Sequence, residues 1–262
     1  MRLLFLGTGT SFGVPQVGCS CSVCTSSDPS DRRLRSSVLI ETQGRRLLID
    51  APPELRLALV RARVSDLDAV LFTHAHADHV HGIDDLRAIS ARRHQALEAW
   101  GPVETMRELE ERFRYVFDGA APARPGTTRP ELTSRTLAPD QPAEVAGVEV
   151  LPFPLPHGPS EVFGYRVGPL AYITDAKDVP AATRARLRGV QVLVLNALLE
   201  EPHPLHLSIA EAVRVAEDVG ARRTYLTHLT HNLSHQDLLA RLPPGVQPAY
   251  DGLAVDVPEG PV

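Results

Sequence analysis

The densest run of chemically competent side chains in the sequence is Thr73-His74-Ala75-His76-Ala77-Asp78-His79. It follows directly on Ala69–Phe72, an apolar segment that reads as a short buried strand. Residues two apart on an extended backbone point to one side, so His74 and His76 face the same way, while Asp78 and His79 follow in a turn and face another. Imidazole and carboxylate donors in this combination suit Zn²⁺, Mn²⁺ or Fe²⁺. Similar residues close three further apolar segments. His157 follows Val148–Phe153, Asp175 ends Tyr172-Ile173-Thr174-Asp175, and His228 ends Tyr225-Leu226-Thr227-His228. Any one of these alone reads as an ordinary turn residue; together they make a candidate metal centre.

A second cluster is built from thiols. The chain has three cysteines, Cys19, Cys21 and Cys24, an odd count that cannot complete a set of disulfides. Cys-x-Cys-x-x-Cys is one ligand short of tetrahedral zinc, and His231 is the candidate fourth. It lies three residues past His228, so a turn there sends one ring to each site. A closed four-ligand site has no open position. It is expected to be structural, tying the 11–35 loop to the segment that carries His228.

The elements that must hold these residues follow from apolar periodicity and turn signals. Strands are expected at Arg2–Leu6 (closed by Gly7-Thr8-Gly9), Ala69–Phe72, Ala96–Trp100, Val148–Phe153, Phe163–Val167, Leu170–Ile173, Gln191–Leu195 and Thr224–Thr227. Ser37–Glu41 and Arg45–Ile49 flank Gln43-Gly44 as a hairpin, and Gln247–Val257 is further strand material. Helices are expected at Glu54–Arg63, Ile83–Arg93, Glu104–Phe117, Pro180–Leu187, Ile209–Val219 and Gln236–Leu242, with Ser208 and Glu211 as a capping box. The Pro-, Ala- and Thr-rich stretch 119–147 reads as a surface excursion within one domain spanning 1–262. Two β-rich halves, each with helices, predict an α/β architecture of two sheets packed face to face with helices outside.

Composition excludes several function classes. With 43% hydrophobic and 23% charged residues and a net charge of −5, the 262-residue chain is neither collagenous nor disordered. No apolar run approaches the ~20 residues of a bilayer helix, and the first residues lack a secretory pattern, so a cytoplasmic, membrane-free protein is expected. Lys177 is the only lysine, which removes a Walker-type phosphate loop. Mild acidity argues against non-specific nucleic-acid coating. Arg32, Arg33 and Arg35 could meet a phosphate or an RNA strand, or form a solvated edge. His81, His94 and His235 read as surface or local hydrogen-bonding residues, and Asp84 and Asp85 as helix-start partners.

The seven His/Asp ligands resemble those of the metallo-β-lactamase superfamily across essentially the whole chain. That resemblance implies an αββα sandwich with a binuclear site at one edge. It places one ion on His74, His76 and His157 and the other on Asp78, His79 and His228, with Asp175 bridging. Leu6-Gly7-Thr8-Gly9-Thr10-Ser11, the cysteine cluster, Asp28-Pro29 with Arg32–Ser37, His81–Arg87 and Tyr250-Asp251-Gly252 are similar to the PhnP-type phosphodiesterases. Asp50-Ala51-Pro52-Pro53-Glu54 departs from them, with Pro-Pro-Glu where Gly-Pro-Asp is usual. The PhnP-type resemblance implies two active-site Mn²⁺ or Zn²⁺ ions, one structural Zn²⁺, a homodimer and a small phosphodiester substrate, 5-phosphoribosyl 1,2-cyclic phosphate or a related cyclic phosphodiester. The expected mechanism is attack of a metal-activated hydroxide on phosphorus. Asp78 is counted as catalytic as well as a ligand, and His206, or else His203, is expected to assist the leaving group. The alternatives are a tRNase Z-like nuclease, with nucleic acid as its substrate, and a metal-dependent binding protein without turnover. Lactamase and thioesterase activities are disfavoured.

Overall fold

A computed structural model describes residues 1–119 and 127–258. Six strands lie in the first half: β1 (Arg2–Gly7), β2 (Ser37–Thr42), β3 (Arg45–Ile49), β4 (Ala69–Leu71), β5 (Leu97–Pro102) and β6 (Leu132–Leu137). The helices between them are α1 (Leu55–Arg61), α2 (Ala77–Val80), α3 (Arg87–Arg93), α4 (Val103–Arg112) and α5 (Arg114–Phe117). The second half contributes β7 (Ala143–Val145), β8 (Val148–His157), β9 (Ser160–Val167), β10 (Leu170–Tyr172), β11 (Val192–Asn196), β12 (Arg223–Thr227), β13 (Val246–Pro248) and β14 (Ala254–Asp256). Its helices are α6 (Ala181–Leu187), α7 (Ile209–Val219) and α8 (His235–Arg241).

These strands form two seven-stranded mixed sheets, ordered β14-β1-β2-β3-β4-β5-β6 and β13-β12-β11-β10-β9-β8-β7. Alternation along β1 shows how they stack. Leu3 and Phe5 enter a core shared with Ile40, Ile49, Tyr165, Val194 and Tyr225 between the sheets. Leu4 and Leu6 point the other way, joining Leu39, Leu48 and Val70 against Leu55 and Leu59 of α1 and Met106 and Leu109 of α4. On the far side, Leu193, Leu195 and Leu226 pack beneath Leu187, Val215, Val219 and Leu238 of α6, α7 and α8. Strands covered on both faces must be apolar throughout, which is why they read as continuous hydrophobic runs. The result is the αββα layering.

Strands β3 through β6 run parallel, as do β10 through β13, and β8 is parallel to β10 through the intervening antiparallel β9. Their C-terminal ends therefore gather at one edge of the sandwich, where open α/β sheets place their ligands. Helix α7 starts as expected: Glu211 N–H donates to Ser208 Oγ (3.3 Å) and Ser208 N–H returns to Glu211 Oε2 (2.7 Å).

Three expectations are corrected. The 119–147 stretch is no plain excursion, because it carries β6 and β7, the outermost strands of the two sheets. Among the described residues of the stretch, Pro130 precedes β6 and Pro139 and Pro142 lie in the turn between β6 and β7, placements edge strands tolerate; residues 120–126 lie outside the described residues. Gln247–Val257 is strand material as expected, and a turn at Gly252 (φ +90°) divides it, sending β13 to one sheet and β14 to the other. The helix expected over Glu104–Phe117 breaks at Phe113, whose backbone leaves the helical region. Asp78 and His79 sit in the one-turn helix α2 rather than a turn.

Candidate metal centre

Every candidate ligand sits where a strand runs out. Past β4, Phe72 and Thr73 lead to His74, and His76 immediately precedes α2, which carries Asp78 and His79. His157 is the last residue of β8, Asp175 lies three residues past β10, and His228 directly follows β12. Asp50 directly follows β3. Asp50, Asp175 and His228 all adopt left-handed backbone conformations (φ +63°, +57° and +58°). That conformation is uncommon for a residue with a Cβ, and it persists where surrounding structure enforces it, often at functional sites. Helix α2 is seated just as tightly. Ala51 N–H donates to His79 O and Gly82 N–H to Ala51 O (both 2.7 Å), and a Cβ on Gly82 would lie 2.0 Å from Pro52 O.

The structure brings the candidate ligands into two overlapping groups. One ligand atom from each of His74, His76, His157 and Asp175 lies within 4.8 Å of the others, and the same holds for Asp78, His79, Asp175 and His228. Asp175 belongs to both. Its Oδ2 is 3.4 Å from His74 Nε2 and 3.2 Å from His79 Nε2, and its Oδ1 is 3.0 Å from His228 Nδ1. Burial opposes its charge, but the His228 and His79 imidazoles hold its carboxyl well below the usual carboxylate range. Desolvation, reinforced by His79, depresses His74, so its imidazole is neutral and offers a lone pair.

Buried hydrogen bonds aim those lone pairs. The fully buried Asp50 carboxylate accepts from Thr73 N–H (2.8 Å), Thr73 Oγ1–H (2.8 Å) and His79 Nδ1–H (2.7 Å). With its own hydrogen given to Asp50, Thr73 Oγ1 accepts from His74 Nδ1 at 2.9 Å. His157 Nδ1 likewise donates to Leu205 O (3.2 Å). His74 Nε2 and His79 Nε2 are left buried without hydrogen-bond partners, both turned toward Asp175. An unpaired buried imidazole nitrogen is costly unless something accepts its lone pair. A divalent ion does so, and a carboxylate or carbonyl on the other ring nitrogen is the usual support of a metal-bound histidine. The residues present fit a metal pair.

The thiols form a third group, with Cys19, Cys21, Cys24 and His231 within 4.8 Å of one another. Cys21 Sγ is 3.2 Å and Cys19 Sγ 3.5 Å from His231 Nδ1. Cys24 Sγ accepts from Gln16 N–H (3.3 Å) and Cys21 Sγ from Cys24 N–H (3.4 Å). The Cys24 amide and His231 lower the Cys21 thiol to about 6, whereas burial pushes Cys24 up to about 11.

Among the other expected residues, His206 approaches the centre. Its ring stacks on His228 (centroids 5.0 Å apart) and lies 5.1 Å from both His157 and His203. Burial, followed by His228, depresses it to about 3, and its Nδ1 is buried without a partner. His81 is exposed against Phe113, and His94 caps α3 in solvent. Arg35 pairs with Glu54, the carboxylate of the divergent Pro-Pro-Glu segment.

Arg33, 3% exposed, overturns its solvated-edge reading, and His235, 7% exposed, is a hydrogen-bonding residue rather than a surface one. Arg33 donates to Thr8 Oγ1 (2.9 Å) and Ala249 O (2.6 Å), with its Nη2 3.5 Å from His235 Nδ1. Thr8 Oγ1 in turn donates to Asp251 Oδ1, whose other oxygen accepts from Leu34 N–H. Sequence reasoning missed Asp50, Thr73 and Asp251 as supports. Asp50 has a visible signal, an aspartate closing an apolar strand as Asp175 does. The other two are revealed only by their partners.

The model of the beta-lactamase superfamily domain matches residues 45–229. An octanoyltransferase from Porphyromonas gingivalis is 40% identical over 99% of this chain, which spans about half (52%) of that relative's length. A ribonuclease Z from Methanopyrus kandleri is 27% identical over 87% of this chain and 94% of its own. Among solved structures, a diphosphatase of the PhnP family superposes with a TM-score of 0.90 at 38% identity, covering 98% of each chain. With its layered sheets, its strand-end His/Asp groups and these relatives, the chain belongs to the beta-lactamase superfamily and, within it, to the PhnP family.

Proposed function

We propose that the chain is a metal-dependent phosphodiesterase that hydrolyses a cyclic ribose phosphate, 5-phosphoribosyl 1,2-cyclic phosphate or a related cyclic phosphodiester. The observation that carries this reading is the shared carboxylate: Asp175 belongs to both His-rich groups, the arrangement that holds two divalent ions side by side. His74, His76 and His157 would hold one ion and Asp78, His79 and His228 the other, either as Mn²⁺ or Zn²⁺. Such a pair activates a water for attack on phosphorus and neutralises charge on the phosphoryl oxygens.

The chain's own residues do the rest. Asp50 and Thr73 fix the rings of His74 and His79. His206, beside His228 and His157, is placed to hydrogen-bond a phosphoryl or leaving-group oxygen. The Cys/His group is read as a separate structural zinc site that ties the 11–35 loop to the segment after β12. An RNA-processing reading is kept as second because the ribonuclease Z relative matches nearly end to end.

The test is metal-reconstituted protein assayed in parallel on phosphoribosyl cyclic phosphate, 2′,3′-cyclic nucleotides and precursor tRNA. Turnover of a cyclic phosphate is expected. Faster cleavage of precursor tRNA reverses the ranking, and no turnover of any substrate by protein carrying two active-site ions returns the chain to a binding role.

A further inference from the structure

The chain's three cysteines all belong to the Cys/His group, and they differ in access. Cys19 and Cys21 are half-exposed and alternate with the exposed Ser20 and Ser22. Cys24 is buried against Val14 and Val23, and Val14 pairs through its backbone with Arg33 in both directions (2.9 and 2.7 Å). One turn joins the accessible thiol of Cys21 to the buried one. Thr25 N–H donates to Cys21 O (3.0 Å), a bond of helical spacing, and within that turn Cys24 N–H donates to Cys21 Sγ (3.4 Å). Cys21-Ser22-Val23-Cys24 is thereby folded with its two sulfurs within 4.8 Å of each other.

We infer that Cys21 and Cys24 are an oxidative modification site, converted to a disulfide by peroxide and restored by a thiol reductant. The inference goes beyond the structural-zinc reading of this group and rests on it only for the prediction that zinc is released. Three observations carry it. The ionised sulfur that binds a metal is also the one that attacks peroxide, and Cys21 offers that sulfur to solvent. Its negative charge is supported by the Cys24 amide. A second thiol stands beside it in the same turn, the arrangement of cysteines that cycle reversibly instead of over-oxidising. Cys24 is the partner because its own N–H already lies on Cys21 Sγ, whereas Cys19 Sγ faces His231 Nδ1 (3.5 Å). In the first step the Cys21 sulfur attacks the peroxide. An S–O bond forms, the O–O bond breaks, and hydroxide leaves to take up the proton that Cys21 has shed. The Cys24 sulfur then attacks Cys21 Sγ; the S–S bond forms, the S–O bond breaks, and water departs with the Cys24 proton. Two thiols have lost two electrons and two protons, and the peroxide has become two waters. Cys19 and His231 remain, half of what tetrahedral zinc needs, so the staple opens. The segment after β12 keeps an independent hold, because Leu229 N–H donates to Thr8 O (2.9 Å) and Thr10 N–H to Leu229 O (3.3 Å).

The test treats the full chain, purified anaerobically with zinc present, with stoichiometric hydrogen peroxide. Free thiols are expected to fall from three to one per chain, with the surviving alkylation label on Cys19. One zinc per chain should pass to a colorimetric chelator in excess of what Cys21→Ser releases, that variant serving as the blank for ions held elsewhere. Dithiothreitol with zinc should restore all three thiols and the bound metal. In Cys24→Ser the oxidation should stop at the sulfenic acid of Cys21, which dimedone traps whether or not the variant holds zinc. A thiol count that stays at three, a surviving label on Cys21 or Cys24, or oxidation that dithiothreitol does not reverse overturns the inference. The two readings fail separately. A Cys21–Cys24 disulfide formed in protein that never held zinc at the thiols removes the structural-zinc reading and leaves the modification site standing. Thiols that keep their zinc through the peroxide treatment do the reverse.

Discussion

The His/Asp centre and the Cys/His cluster lie at neighbouring ends of one segment, with His228 in the first and His231 in the second, yet they are built on different principles. At the His/Asp centre the side chains stand at strand termini, and Asp50, Thr73 and the Leu205 carbonyl occupy the ring nitrogens that point away from it. A cavity opens beside it. The Cys/His cluster joins the 11–35 loop to the segment after β12; Cys19, Cys21 and His231 are half-exposed, and the sulfurs accept from the loop's own backbone and lie against the His231 ring. Reactive sites need ligands held rigidly with room for a reactant, whereas a staple needs only to close.

The comparison breaks first at Asp175. Asp175→Ala removes the carboxylate common to both groups, and kcat should fall by at least about 10²-fold while circular dichroism stays native. Retention of a tenth of wild-type activity would refute the shared role. Asp50→Asn tests the support instead of the ligand. It weakens the acceptor of His79 Nδ1 and should reduce metal affinity by about 10–100-fold, read by chelator competition, with the cysteine-bound metal unaffected. His206→Ala should slow esters with alkoxide leaving groups by about tenfold or more and spare nitrophenyl esters, whose leaving group needs little assistance. Equal losses on both would make His206 a phosphate-binding residue.

At the thiol cluster the expected effects are on stability. Cys21→Ser should release one zinc per chain and lower Tm by several degrees, reducing activity only through a displaced His228. An unchanged metal content would remove the staple from the comparison.

The buried strut that backs the 11–35 loop sharpens the contrast least but most distinctively. Burial raises the Asp251 carboxyl to about 6, against the pull of the Leu34 and Thr8 donors and Arg33. The native state therefore holds this proton more tightly than the unfolded chain does. The strut's contribution is full below about pH 4 and declines as pH rises toward 6, by on the order of 2–3 kcal/mol. The difference in Tm between wild type and Asp251→Asn should drift by a few degrees across that window. A flat difference would mean that the carboxyl ionises normally.

Much of the sandwich was legible because its central strands are apolar on both faces and because seven ligand-type residues close strands. Local pattern carries both signals. What it does not carry is partnership across the chain. Arg33 read as a solvated-edge residue because guanidinium groups are usually solvated, and only Thr8 and Ala249, brought in from distant segments, make its burial affordable. The left-handed turn at Asp50, Asp175 and His228 is equally silent in sequence, since tertiary packing imposes it. Strands β6 and β7 escaped notice for a different reason: as edge strands they bury little, so their apolar alternation is weak among the prolines.

The pairing of β14 with β1 has a consequence for how this unit can be joined to others. Val257 N–H donates to Met1 O (2.9 Å), so the first residue and the last described strand are pinned to one corner. That corner lies at the start of β1, whereas the metal ligands gather where the parallel strands end, a strand length of ~20 Å away. Polypeptide joined before Met1 or after Val257 starts from the side remote from the metal centre. With Met1 and Val257 adjacent, the unit should also accept a short linker joining these two positions and new termini at the Gln43-Gly44 hairpin, on the same remote side.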